Sequence, residues 1–231
     1  MALKESISFY IGCFIILCIC IIVLLLISPV KKNFYDLKEQ YPILYYNLHQ
    51  NNKNYQSVLN EILNGLNIDR FDINRLNSRK LLQDPNSKNW LEYPTTEHCQ
   101  NMVYTFPLFI NGELSEKSSE FKILINLLNN QPEIKSVYFW KFPPKSAFKQ
   151  HIESNTNNIM RYTLCINGMG CTEEHSSLWV NGDIKKLVYD DYVLWDPSKE
   201  FSLHNETDDD IIYLNVDVKK NINIPLGTAS E

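Results

Sequence analysis

The chain has 231 residues, a formal net charge of −5 and 44% hydrophobic residues, with Tyr 13, Phe 11 and Trp 4 against Gly 7. That composition excludes a disordered tail. The acidic balance, without a dense Lys/Arg cluster, excludes nucleic acid as the main partner. Frequent Asn, Ile and Lys suit an AT-rich coding sequence, such as that of a large DNA virus or a protist.

Residues Ile7 to Ile27 (ISFYIGCFIILCICIIVLLLI) run 21 positions without a charge. About 20 apolar residues span a bilayer as a helix. A cleaved signal peptide has a shorter apolar core and a small-x-small exit, whereas this run ends at Ser28-Pro29. The run is apolar on every face, unlike an amphipathic core helix. Residues 1–30 are therefore expected to be an uncleaved single-pass signal-anchor. Lys31 and Lys32 after the run lean towards a domain facing the cytoplasm. Roughly 200 residues remain, enough for one sizeable domain.

Residues 31–53 read as a stalk with a short helix, interrupted by Pro42. Tyr55 to Leu63 reads as an amphipathic helix, with Asn54 as a cap and Gly65 past its end. Asn67 to Pro94 is polar and reads as loop, with Trp90 and Tyr93 as plugs on a domain edge. Met102 to Gly112 predicts a strand ending in an Asn-Gly turn, and Ser118 to Leu128 a helix. Short strand-like runs follow at Val137–Phe142, Met160–Ile166, Leu178–Val180, Leu187–Tyr189, Tyr192–Trp195 and Ile211–Val218. Many short strands after helices predict a mainly β sandwich or barrel with a helical brace. Cys99, Cys165 and Cys171 lie in the soluble part, and an odd count makes no disulfide framework. A Cys165–Cys171 bridge stays open beside buried thiols.

Several segments resemble the aspartyl/asparaginyl β-hydroxylase family over Tyr41 to Lys219. Tyr41-Pro42 with Tyr55–Ile62 resembles its opening. Phe142-Pro143-Pro144-Lys145-Ser146 followed by His151 resembles the segment with its first iron-binding histidine. Arg161-Tyr162-Thr163-Leu164 resembles its Arg-x-His-Leu strand. Val193 to Asp196, then Asn205 to Asp210 and Val216-Asp217-Val218, resembles its closing run. The resemblance implies a double-stranded β-helix (jelly-roll, cupin-like) domain over 54–220, with a tail at 221–231. It also implies iron(II) and 2-oxoglutarate as cofactors, and a domain facing away from the cytoplasm.

Carried over position by position, the resemblance puts His151 on the first metal ligand and Arg161 on a cosubstrate-binding arginine. The other positions depart from the pattern. Trp140 stands for a serine, Thr163 for a histidine, Phe201 for the second metal ligand and Ile211 for the arginine on the distal carboxylate. A lone imidazole holds iron(II) poorly. A rearranged set of His151, Glu153 and His204 would mimic a two-His-one-carboxylate triad. His204 lies three residues after Phe201, so on a regular strand it faces the other side and needs a bulge to turn inward. The bland alternatives are a partly buried His151, a polar His204 entering a loop, and Arg161 in an ion pair with Glu153 or Asp196. Asp208-Asp209-Asp210 reads as a solvated loop, and Asn205-Glu206-Thr207 as a glycosylation sequon if lumenal. The sequence thus predicts a membrane-anchored pseudoenzyme with no cofactor, partnered by the membrane and by a protein of a membrane or virion assembly. The alternative is an active dioxygenase that hydroxylates peptide side chains.

Overall fold

A computed structural model describes Leu17 and residues 32–66, 90–93, 96–128, 131–167 and 176–226. The chain divides into two units, Met1–Lys32 and Asn33–Glu231. Of the first, only Leu17, which is helical, and Lys32 are described. The expected membrane span otherwise lies outside the described residues. Among the described residues, no helix is long and apolar enough to cross a membrane.

The second unit is organised by a strand buried on both faces. In β13 (Ile211–Lys219) every residue but the last is buried. Ile212, Leu214, Val216 and Val218 enter one hydrophobic cluster, while Ile211 and Tyr213 enter another. Successive side chains alternate across a strand, so a continuous apolar run means a core on each side.

β13 lies at the centre of an eight-stranded sheet, between β8 (Ile159–Asn167) and β6 (Ile134–Phe142). Outward from β8 come β11 (Tyr192–Trp195) and β1 (Phe34–Tyr35). Outward from β6 come β4 (Tyr104–Ile110) and β2 (Leu91–Glu92), with β5 (Glu113–Leu114) also on β4. A five-stranded sheet runs β10 (Asp183–Lys186), β9 (Ser176–Val180), β12 (Phe201–Asn205), β7 (Ala147–His151) and β3 (Cys99–Gln100). Its pairs are antiparallel, as are those of the larger sheet. Trp140, Trp195 and Tyr213 of the large sheet share one cluster with Phe148, Leu178, Phe201 and Leu203 of the small one. This is the jelly-roll interior.

The helices cover the outer face of the large sheet. They are α1 (Leu37–Gln40), α2 (Pro42–Tyr45), a π-helical turn (Tyr46–Gln50), α3 (Asn52–Gly65) and α4 (Lys122–Leu128). Leu37, Tyr41, Leu44 and Leu48 form a stripe at helical spacing and are buried. Pro42 opens α2 at its first turn, where its missing N–H costs nothing. Asn51, not Asn54, caps α3: its side chain accepts from the Asn54 N–H at 3.2 Å. Glu61 of α3 caps α4 in trans, accepting from the Ile123 and Leu124 N–H groups at 2.7 and 2.9 Å. Gly65 is required by packing, since a Cβ there would stand 2.8 Å from the Phe121 ring.

Several expectations change. The segment expected as a stalk packs into the domain from Asn33 onward, because its apolar stripe has a sheet to bury against. Ile224 of the expected tail is also core. Ser118–Leu128 splits into a 3-10 turn (Glu116–Glu120) and α4. Leu187–Tyr189 is not a strand, while the all-exposed Asp183–Lys186 is, folded back by Asn181 and Gly182 at φ 45° and 100°. An edge strand with two solvent faces carries no hydrophobic alternation to read.

Candidate functional site

His151 ends β7, three residues after Phe148. On a regular strand the two would face opposite sides. Pairing with β12 sets Phe201 against His151 and Leu203 against Phe148, so β7 holds one extra residue. This bulge leaves Lys149 and Gln150 exposed and turns both Phe148 and His151 inward. His151 Nδ1 lies 2.7 Å from the Lys149 carbonyl and donates to it. Nε2 then carries the bare lone pair. It is buried and has no hydrogen-bond partner among the described residues. Burial lowers the His151 pKa, the Lys149 carbonyl opposes this, and His98 adds to the lowering.

Two rings enclose that imidazole. Phe201, fully buried, sits across the strand pair with ring centroids 4.5 Å apart. His98, on the 3-10 turn Thr96–His98, also stacks on it, at 4.5 Å with planes 4° apart. Ring-nitrogen lone pairs lie in the ring plane, so two stacked parallel imidazoles do not converge on one ion. Sequence reasoning did not single out His98, because it lies 53 positions before His151 with no metal-ligand spacing.

His204 is held elsewhere. Phe201, Leu203 and Asn205 of β12 are buried, while Ser202 and His204 alternate outward. His204 Nε2 meets Ser177 Oγ at 3.2 Å on that outer face. The bulge that an inward His204 would need belongs instead to β7. Glu153 is half-buried and is committed to Arg161 at 2.6 Å. Among the described residues, no group of three or more His, Cys, Asp and Glu is placed to hold a metal ion. As arranged, these residues do not fit a bound iron: one imidazole presents a lone pair, and Phe201 opposite it has none.

The other positions lie in the same interior. Trp140 is 1% exposed and packs on Phe148 at 5.0 Å and Tyr93 at 6.3 Å. Phe201 reaches the same Phe148 ring at 6.4 Å and Trp195 at 4.7 Å. Ile211 is fully buried opposite Phe142. Thr163 donates to Asn215 Oδ1 at 2.8 Å and accepts from Trp195 Nε1 at 3.0 Å. Arg161 is buried with Glu153 and Asp217 as its ion-pair partners. Burial opposes the guanidinium charge, but Asp217 and Glu153 outweigh it and hold Arg161 more firmly protonated than usual. The pairing with Glu153 is as expected. The one with Asp196 is not, since Asp196 bonds Lys220 at 2.9 Å. Asp217, the second carboxylate on Arg161, lies in an otherwise uncharged run.

Two accessory features resolve differently. Asn205 of the sequon is 1% exposed, and its Nδ2 donates to the carbonyls of Phe142, Pro143 and Asp209. It is a structural amide, inaccessible to modification in the folded domain. Cys165 is buried, with its thiol 3.2 Å from the Asn167 carbonyl; Cys171 lies outside the described residues.

The frame is therefore a cupin-like jelly roll with a histidine and an ion-paired arginine inside it. The chain belongs to the aspartyl/asparaginyl β-hydroxylase family, whose model matches residues 52–221. That family consists of 2-oxoglutarate-dependent, iron-using oxygenases. Among solved structures, it is similar to a 2OG-Fe(II) oxygenase family oxidoreductase from Burkholderia pseudomallei, at 8% identity, TM-score 0.39, covering 59% of this chain and 76% of that one. It is also similar to a cupin 2 conserved barrel protein from Rhodopseudomonas palustris, at 12% identity, TM-score 0.38, covering 57% and 72%. A cupin-2 domain from Rhodospirillum rubrum gives 10%, 0.38, 57% and 70%. No curated protein matches the chain.

Proposed function

We propose that this chain is a membrane-anchored, non-catalytic member of its family, in which the barrel serves as a binding or structural module of a membrane assembly. The observation that carries this reading is Phe201, directly opposite His151 with ring centroids 4.5 Å apart. A phenyl ring there supplies no ligand and takes up the volume an ion and its cosubstrate need. Trp140 and Ile211 support it, adding apolar bulk where a cosubstrate's carboxylates require donors. Leaving a charged group desolvated and unpaired costs roughly 1.5–3 kcal/mol or more. The uncharged run from Ile7 to Ile27 supports the anchor.

One observation favours the alternative of an active peptidyl hydroxylase. The bare, buried Nε2 of His151, with Nδ1 fixed by a carbonyl, is how a ligating histidine is held. The experiment is to purify the full chain in detergent, load it anaerobically with iron(II), and measure bound metal and 2-oxoglutarate turnover. The expected result is substoichiometric iron and no turnover above buffer. Stoichiometric iron with turnover would sink the non-catalytic reading.

A further inference from the structure

β10 closes one edge of the five-stranded sheet, and all its residues, Asp183 to Lys186, are exposed. Its register with β9 sets Ile184 against Trp179 and Lys186 against Ser177. Leu178 and Val180 of β9 enter the barrel interior, so Trp179 lies on the outer face with Ile184. Ile184 is 65% exposed and Trp179 half-buried, and neither is part of the two hydrophobic clusters of the described residues. Lysines on an edge strand block pairing with other edges, and a lone exposed isoleucine is ordinary. Two things set this hairpin apart. It carries an aromatic–aliphatic pair beside Lys185 and Lys186, which suits a membrane–water interface, where an indole sits at headgroup level and lysines reach towards phosphates. It is also tied to the point where the chain enters the domain. The buried Asn33 donates through Nδ2 to Asp183 at 2.7 Å and to the Asn181 carbonyl at 3.4 Å, and Lys199 donates to Asn33 Oδ1 at 2.9 Å.

The geometry points to the β9–β10 hairpin as a lipid-docking edge, laid on an anionic phospholipid surface by Trp179, Ile184, Lys185 and Lys186. This rests on the reading of Ile7 to Ile27 as a membrane anchor, and it names the edge that the domain turns to the bilayer. Residues Ser28 to Lys32 alone separate that run from Asn33. An extended chain covers at most about 3.6 Å per residue, so Asn33 stays within roughly 20 Å of the end of the run. Lys31 and Lys32 of that joint add positive charge next to the entry point. Asp183 is the acidic residue of β10, and its carboxylate accepts from Asn33. Each lysine held near an anionic surface strengthens binding about fivefold. The anchor makes the contact intramolecular, so a weak contact suffices to hold the domain down.

The test is fluorescence quenching of Trp179 in the full chain, reconstituted into vesicles of phosphatidylcholine and brominated phosphatidylcholine, with and without phosphatidylserine. Bromine quenches an indole that touches the bilayer. The wild type should be quenched, more strongly with phosphatidylserine. Trp179→Phe should lose that quenching, since Trp140 and Trp195 lie in the barrel cluster and Trp90 packs against the other. Ile184→Ser combined with Lys185→Glu, both at exposed positions, should lose most of it, with the melting temperature in detergent unchanged. Quenching that is absent, that persists unchanged in Trp179→Phe, or that is indifferent to phosphatidylserine would overturn the inference. Absent quenching together with a dimer in detergent that Ile184→Ser abolishes would also overturn it, assigning the hairpin to a second copy of the chain. An alkaline wash of the same vesicles tests the anchor separately. A chain that washes off sinks the anchor, while phosphatidylserine-dependent quenching before the wash leaves the hairpin contact standing.

Discussion

Phe201 and His151 are paired residues of adjacent antiparallel strands, the first with no lone pair to offer and the second with a buried, unpartnered ring nitrogen. Replacing Phe201 with His should therefore place a second imidazole across from the first, on a face where the bulge in β7 already points His151. Phe201→His in the full chain is expected to bind cobalt(II) with visible ligand-field bands that the wild type lacks. The swap should cost about 1–3 kcal/mol of stability, because a polar ring replaces an apolar one in a packed interior. If the folded variant gains no cobalt spectrum, position 201 does not face the His151 lone pair. At this scale much was legible in the sequence. His151, Arg161, Trp140, Phe201 and Ile211 were all singled out there, and all lie in the barrel interior. His98 and Asp217 were not. His98 is brought to His151 by β3 pairing with β7, a contact that no local spacing encodes. Asp217 could have been found from a different question: a lone Arg in an apolar strand needs a buried carboxylate, and the Ile211–Val218 run offers only one.

Between elements, charge pairs fix what backbone ladders leave open. Asp196 follows β11 and Lys220 follows β13, strands that are separated in the sheet by β8. Their side chains meet at 2.9 Å and are 3% and 1% exposed. Asp196 also holds the turn, accepting from the Ser198 N–H and hydroxyl at 3.1 and 2.5 Å. Lys220→Met would leave a buried carboxylate without its cation. The expected loss is about 3–5 kcal/mol by denaturant titration. Adding Asp196→Asn to Lys220→Met should cost less than the sum of the two single changes by about 1–3 kcal/mol, because the stranded charge is gone. Additive costs would mean the pair is not coupled. Asp196 stood out in the sequence as the end of the family-like run Val193 to Asp196, whereas its lysine partner did not. Strands buried on both faces, such as β8 and β13, announced themselves as apolar runs. β7 and β12 did not, because a bulge in one and polar outward residues in the other break the alternation.

At the scale of the whole domain, the helical brace meets the large sheet at His49. This residue of the π-helical turn shares a hydrogen bond with the Tyr162 hydroxyl of β8 at 2.9 Å. It also packs on Tyr192 of β11 at 4.0 Å and on Tyr45 and Tyr55 of the helices at 5.6 and 5.9 Å. Burial lowers its pKa from 6.5 to about 4. The folded state thus prefers the neutral ring, and the unfolded chain binds more protons between those values. Stability from this group is complete above pH 6.5 and is lost as pH falls towards 4. The ring is partly exposed, so the full linkage value is discounted to about 1–2 kcal/mol. His151, lowered by burial in the same direction, adds to the loss. Asp210 opposes it. Burial raises that carboxyl from 3.8 to about 6, so its protonated form favours the fold, and its contribution is lost as pH rises through 6. Acid sensitivity is therefore a difference between groups on separate parts of the domain, and single variants separate them. Between near-neutral pH and pH 5 the wild-type melting temperature should fall. His49→Phe should fall less over the same interval, and Asp210→Asn should fall more steeply, having lost the opposing group. A His49→Phe slope equal to that of the wild type would remove this interface as the acid-sensitive joint between brace and barrel.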